Sequence, residues 1–386
     1  MKYKKILVYT AACIGMAFFG IAFIVMGTVL PALTDKYALD SVQASSLVTF
    51  LPIGVLLGSL FFGPVVDRFG YKILLVVSTV LALLGLEGLS FFNELPVLSF
   101  CIFLIGLGGG MLNGATNALV SDISDDKERS SRLSILGVFY GIGALGMPLL
   151  LGILSKQYSY QIILQLTGLF MLMCVIYFLV IRFPESKIKQ GFPINKALKL
   201  VKEPVLLLMS FFLFFQSGME GLFNNWTTSY LENTTAIDKG DVILSLTFFV
   251  LGMTVARLLL SFLLRKIKNS LVLFGGMILT TIGIVFLYYA SNFNLVAIGL
   301  FFSGFGLAAG FPVVLGVIGT LYKETTGTVI GIALFIALSG NTLLNYAMGY
   351  VTRMVEISLF PVFIFILLIL QSIIVITNTK ILNNNN

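Results

Sequence analysis

The sequence predicts an all-α integral membrane protein of twelve transmembrane helices, arranged as two pseudo-symmetric six-helix bundles with both termini cytoplasmic. Three observations predict it. Of the 386 residues, 58% are hydrophobic and only 11% charged, with a mean hydropathy of +1.03, whereas soluble domains carry roughly 25% charged residues. The apolar residues run continuously over the about 20 positions that a spanning helix needs, and do not alternate as barrel strands do. The two halves of the chain also echo each other. Laying Gly106 on Gly304 and Gly108 on Gly306 aligns the spans without gaps and puts Arg68 on Lys266.

The spans follow in order. Span 1, Ile6–Leu33, comes after Met1-Lys2-Tyr3-Lys4-Lys5; its apolar stretch is too long for a signal peptide and no A-x-A site closes it, so it reads as a retained helix. Spans 2 to 6 are Val42–Val66, Ile73–Phe92, Pro96–Val120, Leu133–Leu154 and Tyr160–Phe183. The longest loop, Phe183–Glu203, is Lys-rich and carries Pro184, Pro193 and Pro204; within it Ile194–Val201 fits a short interfacial helix. This loop defines the expected domains, residues 1–183, a linker 184–203 and residues 204–386. Spans 7 to 12 are Pro204–Tyr230, Val242–Leu264, Ser270–Ala290, Leu295–Leu321, Thr326–Val351 and Ile357–Thr377. With the N-terminus inside, Lys36, Lys156, Lys239 and Arg353 face outward, Arg257 lies within a span, and every other Lys and Arg falls inside. That bias orients the chain and accounts for the net charge of +7 without nucleic acid.

The chain has no histidine, which removes His triads, His metal sites and imidazole relays, and Cys13, Cys101 and Cys174 lie inside apolar runs without metal spacing. No cofactor, metal or enzymatic activity is expected. The loop after span 2 reads G-P-V-V-D-R-F-G-Y-K, Gly63 to Lys72. Gly63 permits close helix contact. Asp67 suits the partial positive charge of a helix N-terminus, expected at span 11 near Thr326. Arg68 needs an acidic partner, for which Asp122 at the end of span 4 is placed. The stretch resembles the signature of the major facilitator superfamily, G-x-x-x-D-R-x-G-R-[RK], with Tyr71 in place of one basic residue. The resemblance covers the whole chain and implies a transporter whose Gly63, Asp67, Arg68, Gly70 and Asp122 lock the cytoplasmic side in an outward-open state. Span 5, G-V-F-Y-G-I-G-A-L-G-M-P from Gly137, resembles loosely the span-5 glycine motif of the superfamily's drug antiporters; its Gly137/Gly141 spacing points to tight packing against a helix of the other half.

Four further stretches are similar to the fucose-permease-type branch, mostly sugar:proton symporters: G-L-G-G-G-M-L-N-G-A-T-N-A-L-V (Gly106–Val120), E-G-L-F-N-N-W-T-T-S-Y-L (Glu220–Leu231), M-T-V-A-R-L-L (Met253–Leu259) and G-F-G-L-A-A-G-F-P (Gly304–Pro312). The chain departs from that branch where protons are handled. Asn113 stands where those symporters carry an acid, and span 1 has none.

Charged side chains at bilayer depth cost at least about 2.5–3.5 kcal/mol, and the spans hold Glu87, Glu220 and Arg257. Glu87 lies near the outer end of span 3, where water is within reach. Glu220 lies about 24 Å along span 7, and Arg257 about 12 Å from the end of span 8, so a direct pair is not expected. Arg257 is expected to bond backbone carbonyls or close the inner gate, with anionic substrate as the alternative. Gln216, Glu220 and Asn224 form a stripe at i, i+4, i+8, followed by Asn225 and the lone tryptophan, Trp226; Asn113/Asn117 and Asn341/Asn345 form i, i+4 pairs. Such amides serve either as interhelical glue or as contacts for a hydroxylated solute, with an aromatic face against its C–H surface. The set favours substrate, and Tyr140 adds a phenol.

The expectation is an alternating-access transporter of a small neutral hydroxylated solute, a sugar or sugar derivative, bound midway between the halves. Glu220 is the candidate for any proton coupling. The rivals are a drug or metabolite exporter of the same fold and an uncoupled facilitator. A membrane enzyme lacks its catalytic groups, and no segment is long enough for a sensor's soluble domain. The expected partners are the small solute, protons and membrane lipid, with no nucleic acid; a monomer in the cell membrane is expected.

Overall fold

Among its described residues, the computed structural model has twelve spans long and apolar enough to cross a membrane. It describes residues 3–39, 41–154, 157–186 and 200–383; most of the interfacial helix expected at Ile194–Val201 lies outside them. The helices are α1 (Lys5–Tyr37), α2 (Ser41–Phe69), α3 (Tyr71–Phe91), α4 (Leu95–Ile123), α5 (Arg129–Leu154), α6 (Tyr160–Val180), α7 (Pro204–Thr234), α8 (Lys239–Leu263), α9 (Asn269–Tyr288), α10 (Phe293–Leu307), α11 (Gly310–Leu321), α12 (Thr326–Met354), α13 (Phe360–Thr377) and the short α14 (Thr379–Asn383). Most extend a few residues past the apolar runs, because polar end residues continue the backbone ladder once an apolar helix has nucleated it. Proline at the first turn starts α7, where its missing N–H goes unused.

The tenth span is two helices, not one. α10 stops at Leu307 and α11 starts at Gly310. Pro312 supplies the reason, since its ring displaces the carbonyl four residues back, that of Ala308, and offers no N–H to it.

Contacts gather the chain into two compact units. One comprises Met1–Ile123, Phe139–Leu200 and Tyr322–Phe335; the other comprises Ser124–Val138, Val201–Leu321 and Ile336–Asn386. Each is therefore a sequence half that has exchanged one short segment. Within the first unit α4 packs on α1, α2 and α3; within the second α10 packs on α8 and α9. The internal repeat shows in the packing at single-residue register. Gly106 leaves no room for a side chain against the Leu51 carbonyl, and Gly304 none against that of Phe249. Gly108 abuts Ser78 and Ala82, as Gly306 abuts Gly276 and Thr280. Gly54 meets the Phe103 carbonyl, as Gly252 meets that of Phe301. Without a hydrophobic drive between helices in lipid, such backbone-on-backbone approach supplies the dispersion contacts that hold each unit.

Candidate functional site

In the second unit the α7 stripe is the start of a hydrogen-bonded network. The Gln216 amide nitrogen donates to Glu220 Oε1 at 2.8 Å and to the Leu307 carbonyl at 2.7 Å. The second bond satisfies a backbone oxygen at the α10–α11 break. Gln216 Oε1 in turn accepts from Gln371 Nε2 of α13 at 3.0 Å, and Gln371 also donates to the Phe212 carbonyl at 3.3 Å. Gln216 and Gln371 are buried, at 2% and 1% exposure. Gly310 is required beside them, because a β-carbon there would strike Gln216. Asn224 is exposed and donates to the Glu220 backbone carbonyl at 2.8 Å. Of the stripe, then, the structure joins the side chains of Gln216 and Glu220 only. Gln371 was not singled out by sequence reasoning; its signal was a lone carboxamide in the most apolar of the spans, at mean hydropathy 3.0.

Asn341 and Asn345 project from α12 toward α7. Asn341 Nδ2 donates to the Ser217 carbonyl at 3.1 Å, and Gly221 provides its space, since a β-carbon there would lie 2.6 Å from the amide. Asn345 Nδ2 donates to the Asn341 carbonyl at 2.8 Å and to its Oδ1 at 3.2 Å. Asn345 Oδ1 accepts from Asn225 Nδ2 at 3.0 Å and from Trp226 Nε1 at 3.1 Å. The half-buried Trp226 is thus held by an asparagine while its ring edge packs against Gly349. As the only tryptophan, it reports this corner spectroscopically. Trp226→Phe is expected to cost about 1 kcal/mol or less, one neutral hydrogen bond, and to abolish any solute-dependent tryptophan fluorescence. Wild-type tryptophan emission unchanged by a solute that is transported would place that solute away from this corner.

Arg257 of α8 is 8% exposed. Its Nη1 donates to the Gly137 carbonyl at 3.0 Å, and its own backbone carbonyl accepts from Ser134 Oγ at 2.7 Å. Its Nε is buried without a hydrogen-bond partner among the described residues. Among the described residues no ion pair within 4.0 Å joins Arg257 to Glu220, so the direct pair that the depths along the two helices argue against is not formed. Below Arg257 the same helix pair continues with Ser131 donating to the Ser261 carbonyl and Arg265 Nε donating to Ser131 Oγ at 3.1 Å.

The remaining candidates lie in the first unit. Asn117 Nδ2 donates to the Asn113 carbonyl at 2.8 Å and its Oδ1 at 3.0 Å, with both residues buried. The Tyr140 ring packs on Phe19 and Phe23, with centroids 5.3 and 6.4 Å away. Glu87 is half-buried against Gly168 of α6, whose missing side chain leaves room for the carboxyl. Asp67, 2% exposed, accepts from the Gly327 N–H at 3.2 Å, the Thr328 N–H at 2.9 Å and the Thr328 hydroxyl at 2.6 Å, at the N-terminus of α12. Gly63 makes this approach possible, because a β-carbon there would stand 2.6 Å from the Gly327 carbonyl oxygen. Gly70 joins α2 to α3 at φ 82°, a region open to glycine. The Arg68 guanidinium lies 5.9 Å from the Phe69 ring centroid. Asp122 accepts the hydroxyl hydrogen of Tyr71, the residue that departs from the family signature.

Two repeated bundles of apolar helices, each carrying buried carboxamides, define a polytopic membrane transporter. The Major Facilitator Superfamily model matches residues 12–235 and 214–383, and the chain belongs to that superfamily. It is 23% identical over 355 residues to the glucose/mannose transporter GlcP of Bacillus subtilis, covering 87% of this chain and 86% of the relative. It is 24% identical over 341 residues to the cis,cis-muconate transport protein of Acinetobacter baylyi, covering 83% and 81%. A solved structure of the fucose:proton symporter FucP of E. coli, an alanine variant, superposes with a TM-score of 0.77 at 16% identity, covering 96% of this chain and 99% of that one. That likeness shows the fold.

Proposed function

We propose that the chain is an alternating-access secondary transporter of a small hydroxylated solute, a sugar or sugar derivative. The observation that carries the reading is the second unit's polar array, Gln216–Glu220 on α7 facing Asn341–Asn345 on α12 with Trp226 beside it. Amides and a carboxylate together offer donors and acceptors to hydroxyls, and an indole offers a face to C–H surface. The glucose/mannose and fucose relatives support a sugar; the muconate relative keeps an organic acid or metabolite in view. The six-helix halves, 1–183 and 204–386 joined by 184–203, would be the moving bodies, with Asn113, Asn117 and Tyr140 as the first half's contribution. Gly63, Asp67, Arg68, Gly70 and Asp122 would hold the cytoplasmic side closed. Glu220 would bind a hydroxyl and carry the coupling proton, acting in the absence of the span-1 and span-4 acids.

Uptake by proteoliposomes of a labelled sugar panel, with and without an imposed pH gradient, tests this. Wild type is expected to accumulate a sugar against its gradient when the outside is acid. Glu220→Gln is expected to lose accumulation by about tenfold or more while still equilibrating solute across the bilayer. Unchanged affinity and accumulation in Glu220→Gln would remove Glu220 from the site. Equilibration without accumulation in wild type would make the protein a facilitator, and drug efflux without sugar uptake an exporter.

A further inference from the structure

We infer that Arg257 is an anion subsite of this solute site, so that the favoured cargo is a hydroxylated carboxylate, a sugar acid, and not its neutral parent sugar. The inference rests on the reading of Glu220 and the amides as hydroxyl contacts. A buried guanidinium in a membrane-spanning helix is kept at a cost and is ordinarily neutralised by a carboxylate. Arg257 is buried to nine-tenths, yet no ion pair within 4.0 Å reaches it among the described residues. Among the described residues its one side-chain hydrogen bond goes to an uncharged acceptor, the Gly137 carbonyl at 3.0 Å, and its Nε has no partner. The intramembrane carboxylate of the same unit, Glu220, is bonded to Gln216 at 2.8 Å.

The group is nevertheless held in a defined pose. A β-carbon on Gly137 would lie 3.0 Å from Cδ, 3.1 Å from Nε and 3.2 Å from Cζ, so the guanidinium is laid against that glycine's backbone. Ser134 Oγ, one turn before Gly137 on α5, donates to the Arg257 carbonyl at 2.7 Å. An arginine that is oriented without being neutralised presents a planar fork of N–H donors, and the matching ligand is a carboxylate. Glu220 is an acceptor and suits hydroxyls, not a second anion. A solute bearing a carboxylate on a chain of hydroxylated carbons satisfies both charges at once, which a neutral sugar does not.

The test is counterflow into proteoliposomes of matched pairs, D-glucose with D-glucuronate and D-galactose with D-galacturonate, alongside benzoate, for wild type, Arg257→Lys and Arg257→Gln. At least one uronate is expected to be carried about tenfold or more better than its parent sugar. Arg257→Gln is expected to bring that ratio close to one, and Arg257→Lys, which keeps the charge and loses the fork, to fall between. If Arg257→Gln fails to fold, Arg257→Lys, which keeps the charge, carries the comparison, with a ratio below that of wild type expected and an unchanged ratio overturning the inference. Sugars carried as well as or better than their uronates would overturn the inference and leave the sugar reading standing. A uronate preference untouched in Arg257→Gln would overturn it too, assigning Arg257 to packing. Benzoate carried while every hydroxylated solute fails would keep the anion subsite and overturn the hydroxyl reading. Transport of none of them would overturn both.

Discussion

Replacing Asp67 with alanine is expected to abolish transport and to lower the melting temperature of the detergent-solubilised protein. The carboxylate is 2% exposed and is the acceptor for two backbone N–H groups and one hydroxyl of α12. An ionised acceptor at a helix N-terminus is favoured twice, by charge-assisted hydrogen bonds and by the partial positive charge of the first turn. Removing it strands donors that the surrounding helices keep from water, at about 1–3 kcal/mol for each unsatisfied group. Asp67→Asn separates charge from shape. An amide of the same size accepts through one oxygen only and points an N–H₂ at another donor, so it is expected to recover little. The packing around it allows no rescue by a larger group, since a β-carbon on Gly327 would lie 2.7 Å from Asp67 Oδ1. Gly63→Val is expected to match Asp67→Ala in effect for a steric reason, as the obstructing atoms are backbone. Asp67→Asn with wild-type transport and melting temperature would show that these bonds do not hold the conformation transport requires.

What the sequence reveals of this protein divides along physical lines. The helices were legible because lipid forces every spanning backbone to satisfy itself, which leaves an unbroken apolar run as the mark of each. The repeat was legible because glycines at helix crossings tolerate no side chain; Gly106/Gly304 and Gly108/Gly306 keep both their spacing and their backbone neighbours. The break at Ala308–Ala309 was equally available in Pro312, but the apolar run continues across it, and hydropathy does not sense a lost hydrogen bond.

Side-chain partners were less legible. Periodicity brings Gln216 to Glu220, since i and i+4 share a helix face, and it does not distinguish Asn224, which turns back onto the Glu220 carbonyl. Gln371 belongs to another helix and to no stripe, so only packing brings it to Gln216. Tyr71 reads as a departure from a basic signature, whereas its hydroxyl bonds the Asp122 carboxylate. A phenol hydroxyl supplies that acceptor with one hydrogen bond.

The strongest dependence of the second unit on one side chain is expected at Gln216. Leucine there would be of similar bulk and apolar, which in lipid-facing positions is neutral; here it leaves the Leu307 carbonyl, the Gln371 amide and Glu220 Oε1 each short of a partner. A cavity of about 10 Å³ adjoins Gln216, Gln371, Thr280 and Leu307, room for about one water. A single water can bridge some of the orphaned groups but not all three. Gln216→Leu is therefore expected to destabilise by roughly 2–5 kcal/mol, with solute affinity falling because Glu220 loses the bond that orients it. Gln371→Leu alone is expected to cost less, since Gln216 keeps its two other partners. The double variant decides whether the three helices act through one network. With Gln216 gone the Gln371 amide keeps only its longer bond to the Phe212 carbonyl at 3.3 Å, so removing it as well should cost little more and return a coupling of about 1 kcal/mol or greater. Additive losses would mean that each glutamine serves its own helix, and that the break in span 10 stands on Pro312 without the carboxamide beneath it.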